Sequence, residues 1–124
     1  YEPILPTCKY IKKHKFKNIL IFSTSITKKI GIHKKMLPNL NIKYIKFDNL
    51  ADDIEKKNYK NINILIKNLN KKKEIIKKYD CIVLGCTHYN VLYLEFMNFL
   101  KNINFEGKLV NTNEILVNNF LYNK

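Results

Sequence analysis

A short apolar run that ends in glycine constrains the fold of this chain more than any other segment. The residues after Asp80 are Cys81-Ile82-Val83-Leu84, and Gly85 closes them. An uninterrupted apolar run of this length is typical of a strand in a parallel sheet, because helices cover both faces of such a sheet. A helical pattern follows over residues 91–100. The segment therefore predicts a strand over Asp80–Leu84, a turn and a helix.

The rest of the chain alternates between strand and helix patterns in the same way. Further strands are predicted over residues 17–22, 41–47 and 108–110. Helices are predicted over residues 27–37, 58–78, 91–100 and 114–121, with a turn or short helix over 49–55. Alternating strands and helices form parallel sheets with helices on both faces. We therefore expect an α/β fold: a three-layer α/β/α domain with a mostly parallel four-stranded sheet.

Candidate functional residues fall where three of the predicted strands end. Thr24, the segment 48–55 and Cys86 each follow such a strand. Open parallel sheets bind ligands beyond the carboxyl ends of their strands. These three segments are therefore predicted to meet at one edge of the sheet.

The turn Gly85-Cys86-Thr87-His88 places a thiol two residues from a histidine. At the start of a helix, unpaired backbone N–H groups carry partial positive charge, which favours a thiolate and can hold a carboxylate. His88 could orient the thiol or exchange a proton with it. The simpler alternatives are an inert buried cysteine, a threonine that only caps the helix and a histidine exposed on the first turn.

Gly85-Cys86-Thr87-His88-Tyr89 resembles the second cysteine motif of the glutamate racemases, within the aspartate/glutamate racemase superfamily. Residues 22–27 resemble the family's Thr-x-x-Thr turn, and residues 52–55 resemble its acidic turn, which ends in a glutamate. Residues 108–111 resemble the strand after the motif. The resemblance covers nearly the whole chain but corresponds to the C-terminal half of a complete enzyme. Asn90 and Asn111 depart from it, because the family usually has proline and aspartate there.

The resemblance implies a cofactor-independent isomerase that interconverts L- and D-glutamate by two-base 1,1-proton transfer and supplies D-glutamate for peptidoglycan. Cys86 would be the base on the L-glutamate face, His88 would assist it, and Glu55 would lie near the substrate's amino group. Substrate binding would fall to Thr87, His88, Thr24 and Thr27. His88 favours glutamate as substrate, because aspartate racemases of the superfamily usually have glutamate at that position.

The family's first cysteine, in a Cys-Asn-Thr motif, and its Asp-Ser-Gly loop do not occur in this chain. We therefore expect residues 1–16 to enter from a missing N-terminal domain, 17–105 to carry the second catalytic cysteine, and 106–124 to return towards that domain. The expected partners are glutamate, the N-terminal half and a second copy of the chain. The 124 residues alone are predicted to be inactive. The alternatives are another racemase of the superfamily, for example for aspartate, and a non-catalytic remnant or polyanion-binding domain.

The charge of the chain comes from lysine alone, with 23 lysines, no arginine and a formal net charge of +13. Proteins that recognise nucleic acids specifically favour arginine, which contacts phosphate and bases with two hydrogen bonds. Because the lysines are spread along the chain, we interpret them as solvated surface, and we interpret His14 and His33, which lie among them, in the same way. The lysines predict only non-specific, salt-sensitive binding to nucleic acid.

Cysteine usage and hydropathy indicate the compartment. An odd count of three cysteines without a secretion signal favours a reducing cytoplasm. Cys8 and Cys81 are interpreted as structural. No set of zinc ligands is expected, and no cofactor is implied. No apolar run reaches the length of about eighteen residues that a membrane-spanning helix needs, so no membrane association is expected.

Overall fold

The predicted strands form one parallel sheet. The computed structural model describes residues 4–122, with side chains up to residue 117. The strands are β1 (Asn18–Ser23), β2 (Asn41–Lys46), β3 (Cys81–Leu84) and β4 (Lys108–Val110). All neighbouring strands are parallel, in the order β2-β1-β3-β4, and Ile19 of β1 pairs with both Ile42 and Cys81. The prediction of an α/β fold around a parallel four-stranded sheet is confirmed.

Helices connect the strands. The described α-helices are α1 (Ile4–Lys13), α2 (Ser25–Ile30), α3 (Ile32–Met36), α4 (Leu50–Glu55), α5 (Tyr59–Leu69), α6 (Lys73–Ile76), α7 (Tyr93–Asn102) and α8 (Thr112–Tyr122). Two 3₁₀-helices span Asn70–Lys72 and Thr87–Leu92. Among these helices, none is long and apolar enough to cross a bilayer.

The alternation of side chains along each strand builds two hydrophobic cores, one on each face of the sheet. Leu20, Phe22, Ile82 and Leu84 pack with α4, α5, α6 and α7. Ile19, Ile21, Cys81 and Val83 pack with α1, α8 and the end of α3. Burying each large aliphatic side chain contributes about 1.5–3 kcal/mol. The two central strands are thus buried on both faces, as expected for a three-layer α/β/α domain.

Two predicted helices are interrupted. The helix predicted over residues 27–37 begins earlier, at Ser25, and breaks at Gly31, whose left-handed backbone (φ 63°) ends α2 and starts α3. The helix predicted over 58–78 ends as α5 at Leu69, and a 3₁₀ turn separates it from α6. Its spacing of apolar residues continued across the break, so periodicity alone did not reveal it.

The ends of the chain contribute to this domain. Cys8 and Ile11 of α1 are buried in the second core beside Ile115 of α8, and β4 pairs with β3. The hypothesis that residues 1–16 and 106–124 connect to a further domain stays a prediction. Residues 1–3 and 123–124 of those ranges lie outside the described residues.

Candidate active site

Gly85 brings the end of β3 tightly against β1. Its N–H donates to the carbonyl of Phe22 across 2.8 Å. A Cβ at this position would lie 2.8 Å from Cγ2 of Ile21 and 2.9 Å from the same carbonyl oxygen, which is closer than real Cβ contacts allow. The absence of a side chain therefore lets Cys86 emerge directly beside the end of β1.

Cys86 is the last extended residue before a helix (φ −117°, ψ 132°), and its carbonyl accepts from the N–H of Tyr89 at 2.9 Å. The helix that follows is a six-residue 3₁₀-helix, Thr87–Leu92, and the α-helix predicted over residues 91–100 begins only at Tyr93. The Cys86 residue is 7% exposed and packs against the first core. Its side chain is thus held firmly at the edge of that core.

Three side chains from two elements form a line of contacts at this edge. The Sγ atom of Cys86 lies 3.7 Å from Nδ1 of His88, and Nε2 of His88 lies 3.2 Å from Oε1 of Glu55. The side chains of His88 and Glu55 are 48% and 65% exposed. The Cys86 line, formed by Cys86, His88 and Glu55, therefore runs from a nearly buried thiol to solvent. If Nε2–H of His88 donates to the Glu55 carboxylate, Nδ1 is left free to receive the thiol proton.

The end of α4 fixes the position of Glu55. Lys57 has a left-handed backbone (φ 56°), and the next residue, Asn58, donates its N–H to the carbonyl of Asp53 at 2.8 Å. This pattern is a Schellman motif, which stops the helix at a defined residue. Glu55 is the last residue of α4, and α4 packs against the 3₁₀-helix that carries His88. The sequence predicted a turn or short helix over residues 49–55; the structure has the short helix α4, which directs Glu55 towards His88.

Thr24 and Thr27 lie at the carboxyl end of β1, as predicted, and they contact each other. Thr24 is the N-cap of α2: its Oγ1 accepts from the N–H of Thr27 at 3.3 Å and donates to Oγ1 of Thr27 at 3.1 Å. Thr27 is nearly fully buried, whereas Thr87 on the neighbouring turn is half-buried. The Thr-x-x-Thr pattern therefore caps the start of α2.

The two residues that depart from the family pattern have defined contacts. The buried side chain of Asn90 is hydrogen-bonded to Thr112 at the start of α8. Oδ1 of Asn111 accepts from the N–H of Asn113 at 2.9 Å, at the beginning of the same helix. An aspartate would accept the same bond, so Asn111 retains the capping capacity of the family residue.

The other two cysteines differ from Cys86 in their surroundings. Burial raises the pKa of the Cys81 thiol to about 12, and it also raises the pKa of Cys8. Both side chains lie in the second core, on the face of the sheet away from α4. Their interpretation as structural cysteines agrees with this placement. Within residues 4–122, no group of three or more His, Cys, Asp or Glu side chains is placed to hold a metal ion.

The sequence interpretation of His33 as a solvated residue is wrong. His33 is 2% exposed, and its Nδ1 lies 3.3 Å from the hydroxyl of Tyr44 on β2. Burial lowers its pKa from 6.5 to about 4. The lysines around it in the sequence concealed its position, but its spacing of four residues from Leu37, which is also buried, was a usable signal.

No protein-family model matches the chain, and no curated protein matches it. The resemblance to glutamate racemases therefore rests on the motifs quoted above.

Proposed function

We propose that this chain is the C-terminal half of a cofactor-independent glutamate racemase and carries one of its two acid/base groups. The observation that supports the proposal is the line of contacts from Cys86 through His88 to Glu55 at the carboxyl edge of a parallel sheet. The sequence motifs singled out the same three residues. The compartment proposed for the enzyme is the reducing cytoplasm, where its three cysteines stay reduced.

The proposed reaction begins with a proton transfer inside the site. The thiol proton of Cys86 passes to Nδ1 of His88, and the carboxylate of Glu55 stabilises the resulting imidazolium through Nε2–H. The thiolate then removes the Cα proton of L-glutamate, so that an S–H bond forms as the Cα–H bond breaks. The electron pair left on Cα is delocalised into the substrate carboxylate, which neighbouring N–H groups stabilise.

Completion of the reaction needs a second acid/base group on the opposite face of Cα. That group would protonate Cα while Cys86 holds the first proton. In the reverse reaction, which starts from D-glutamate, the two groups would exchange roles. Because His88 and Glu55 are half-exposed, the site also needs a cover that excludes water and strengthens these charges. In the proposal, an N-terminal half supplies both the second base and the cover.

Alkylation of Cys86 tests the proposed site in the full chain. Iodoacetamide labelling, followed residue by residue with mass spectrometry, is expected to modify Cys86 before Cys8 or Cys81. Replacing Glu55 by Gln is expected to slow labelling severalfold, because the imidazolium loses its carboxylate partner. The matched control is Asp53→Asn in the same helix, which should leave the rate unchanged.

Ligand protection identifies the substrate. L-Glutamate is expected to slow the labelling of Cys86 more than L-aspartate does. Protection by aspartate alone would favour another racemase of the superfamily. Equal labelling of the wild type, Glu55→Gln and Asp53→Asn, together with no protection by either amino acid, would contradict the proposal.

Exchange of the glutamate Cα proton in deuterated water tests the need for a second half. The 124 residues alone are expected to give no exchange by proton NMR. Formation of D-glutamate by this chain alone would show that no second polypeptide segment is required.

A further inference from the structure

A second candidate site lies at the opposite edge of the sheet, where β1 and β2 begin. A cavity of about 280 Å³ opens there between the loop before β1 and the loop before β2. This volume is close to the lower end of the range for small-molecule sites, about 300 Å³. Since β1 has six residues at roughly 3.3 Å each, the cavity is separated from Cys86 by about the length of the strand.

The lining of the cavity combines positive charge with an apolar floor. Three lysines contribute to it, Lys12, Lys15 and Lys17, and none of its lining residues is acidic. Phe16 and Met36 supply part of the apolar surface. An ammonium group attracts an anion most strongly where an adjacent apolar wall lowers the local dielectric constant. The lining therefore suits a ligand with an anionic group at one end and an apolar group at the other.

The first wall of the cavity is held in place by backbone hydrogen bonds. Lys15 has a left-handed backbone (φ 58°), and Phe16 donates its N–H to the carbonyl of Ile11 at 3.3 Å, which ends α1 in a Schellman motif. The ring of Phe16 stacks on His14 with centroids 6.0 Å apart. Lys17 donates its N–H to Oδ2 of Asp80 at 3.1 Å.

The second wall is joined to the first. The carbonyl of Lys17 accepts from the N–H of Asn41 at 2.9 Å, and the N–H of Leu40 donates to the carbonyl of Leu37 at 3.2 Å. Both loops are thus anchored without any ligand, so binding would order little additional backbone. Preorganisation of this kind favours affinity.

We propose that this cavity binds a small organic anion, a phosphate or carboxylate that carries an aromatic or short apolar group. The anionic group contacts the three lysines, and the apolar group lies against Phe16 and Met36. The site does not depend on the proposed racemase function, because it shares no residue with the Cys86 line.

Titration of the full chain with phenyl phosphate, followed by amide NMR shifts, tests the proposal. The largest shifts are expected at Phe16, Leu37 and Asn39. Inorganic phosphate and phenol, which each carry one half of the probe, are expected to bind at least about tenfold more weakly. Benzoate distinguishes a carboxylate site from a phosphate site.

Matched variants separate this site from the general positive charge of the chain. The triple variant Lys12→Gln, Lys15→Asn, Lys17→Gln is expected to weaken phenyl phosphate binding by about tenfold; asparagine at residue 15 tolerates the left-handed backbone. The control Lys71→Gln, Lys72→Gln, Lys73→Gln removes the same charge elsewhere and should change affinity less than about twofold.

A further variant, Met36→Gln, is expected to weaken phenyl phosphate binding but to leave inorganic phosphate binding unchanged. Equal weakening by the two triple variants would overturn the proposal. Binding of phenol as tight as that of phenyl phosphate, or amide shifts confined to other residues, would overturn it too.

Discussion

The Nδ2 atom of Asn90 donates a hydrogen bond to Oγ1 of Thr112 across 2.9 Å in the interior of the domain. Oδ1 of Asn90 accepts from the N–H of Thr112 at 3.3 Å, and Oγ1 of Thr112 lies 3.3 Å from the carbonyl of Leu84, to which it can donate. One buried network of hydrogen bonds therefore joins three elements: the end of β3, the 3₁₀-helix that carries His88 and the start of α8. Asn90, where the racemase motif that this turn resembles usually has proline, thus stabilises the turn that carries Cys86.

Replacement of Asn90 by leucine is predicted to destabilise the domain. The substitution removes the amide of Asn90, so the N–H of Thr112 loses its acceptor and the Thr112 hydroxyl loses its donor. Leaving buried polar groups unpaired in this way costs about 1–3 kcal/mol. Urea unfolding should show a lower midpoint with an unchanged slope. The exposed Asn63→Ala in α5 is the control and should change stability by less than about 0.5 kcal/mol. Equal stability of Asn90→Leu and wild type would show that the buried network contributes nothing.

A methyl group at residue 85 is predicted to disturb both the fold and the candidate site. Gly85→Ala would place its Cβ 2.8 Å from Ile21 and 2.9 Å from a backbone oxygen of β1, so the strands must separate. Overpacking of this kind costs about 1–3 kcal/mol. Thermal unfolding and the labelling rate of Cys86 should both change.

Gly31 provides the comparison for Gly85. A Cβ at Gly31 would lie 3.9 Å from the carbonyl oxygen of Lys28, an ordinary van der Waals distance, but the backbone is left-handed. Gly31→Asn should therefore cost little, because asparagine tolerates that conformation. If Gly85→Ala were as stable as Gly31→Asn, close approach of β3 to β1 would not be the reason for Gly85.

The buried His33 is predicted to make stability depend on pH. In the unfolded chain it gains a proton near pH 6.5, but burial lowers its pKa in the folded protein to about 4. Between these values the unfolded state binds more protons, so stability is full above about pH 6.5 and falls as the pH falls towards 4. The expected loss from this residue is about 3 kcal/mol.

Urea unfolding at pH 7 and at pH 4.5 in matched variants measures this contribution. His33→Gln should show a smaller loss between the two pH values than the wild type does. His14→Gln, which removes an exposed histidine, should lose as much stability as the wild type. A loss in His33→Gln equal to that of the wild type would assign the pH dependence to the carboxylates.

The sequence predicted the sheet well because its signals are local. The run Cys81–Leu84 and residues Leu109 and Val110 of the last strand are buried, and their apolar composition is what such burial requires. Helix ends were predicted less well. Three left-handed residues, Lys15, Lys57 and Asn104, occupy Schellman positions where glycine is the usual signal, so these helix ends had no glycine to mark them.

The candidate site was predictable in its members but not in its arrangement. Because sites in parallel sheets lie beyond the carboxyl ends of the strands, the sequence predicted Cys86 and the acidic segment 48–55 at the same edge of the sheet. The last turn of α4 determines which acidic residue reaches His88. Glu55 contacts His88, whereas Asp53 contacts Asn61. The cavity before β1 had no sequence signal, because Lys12 and Met36, which both line it, lie far apart in the chain and come together only in the folded domain.

The surface lysines are predicted to bind nucleic acid without sequence preference. A net charge of +13 attracts the phosphate backbone, and affinity should fall steeply with salt as counterions are released. Fluorescence anisotropy with duplexes of two unrelated sequences should give equal affinities. Because the lysines are dispersed, the Lys71–Lys73 and the Lys12, Lys15, Lys17 triple variants should each lower the salt slope by at most about 2.7. Binding that resists salt, or that one triple variant abolishes, would instead indicate a dedicated nucleic-acid site.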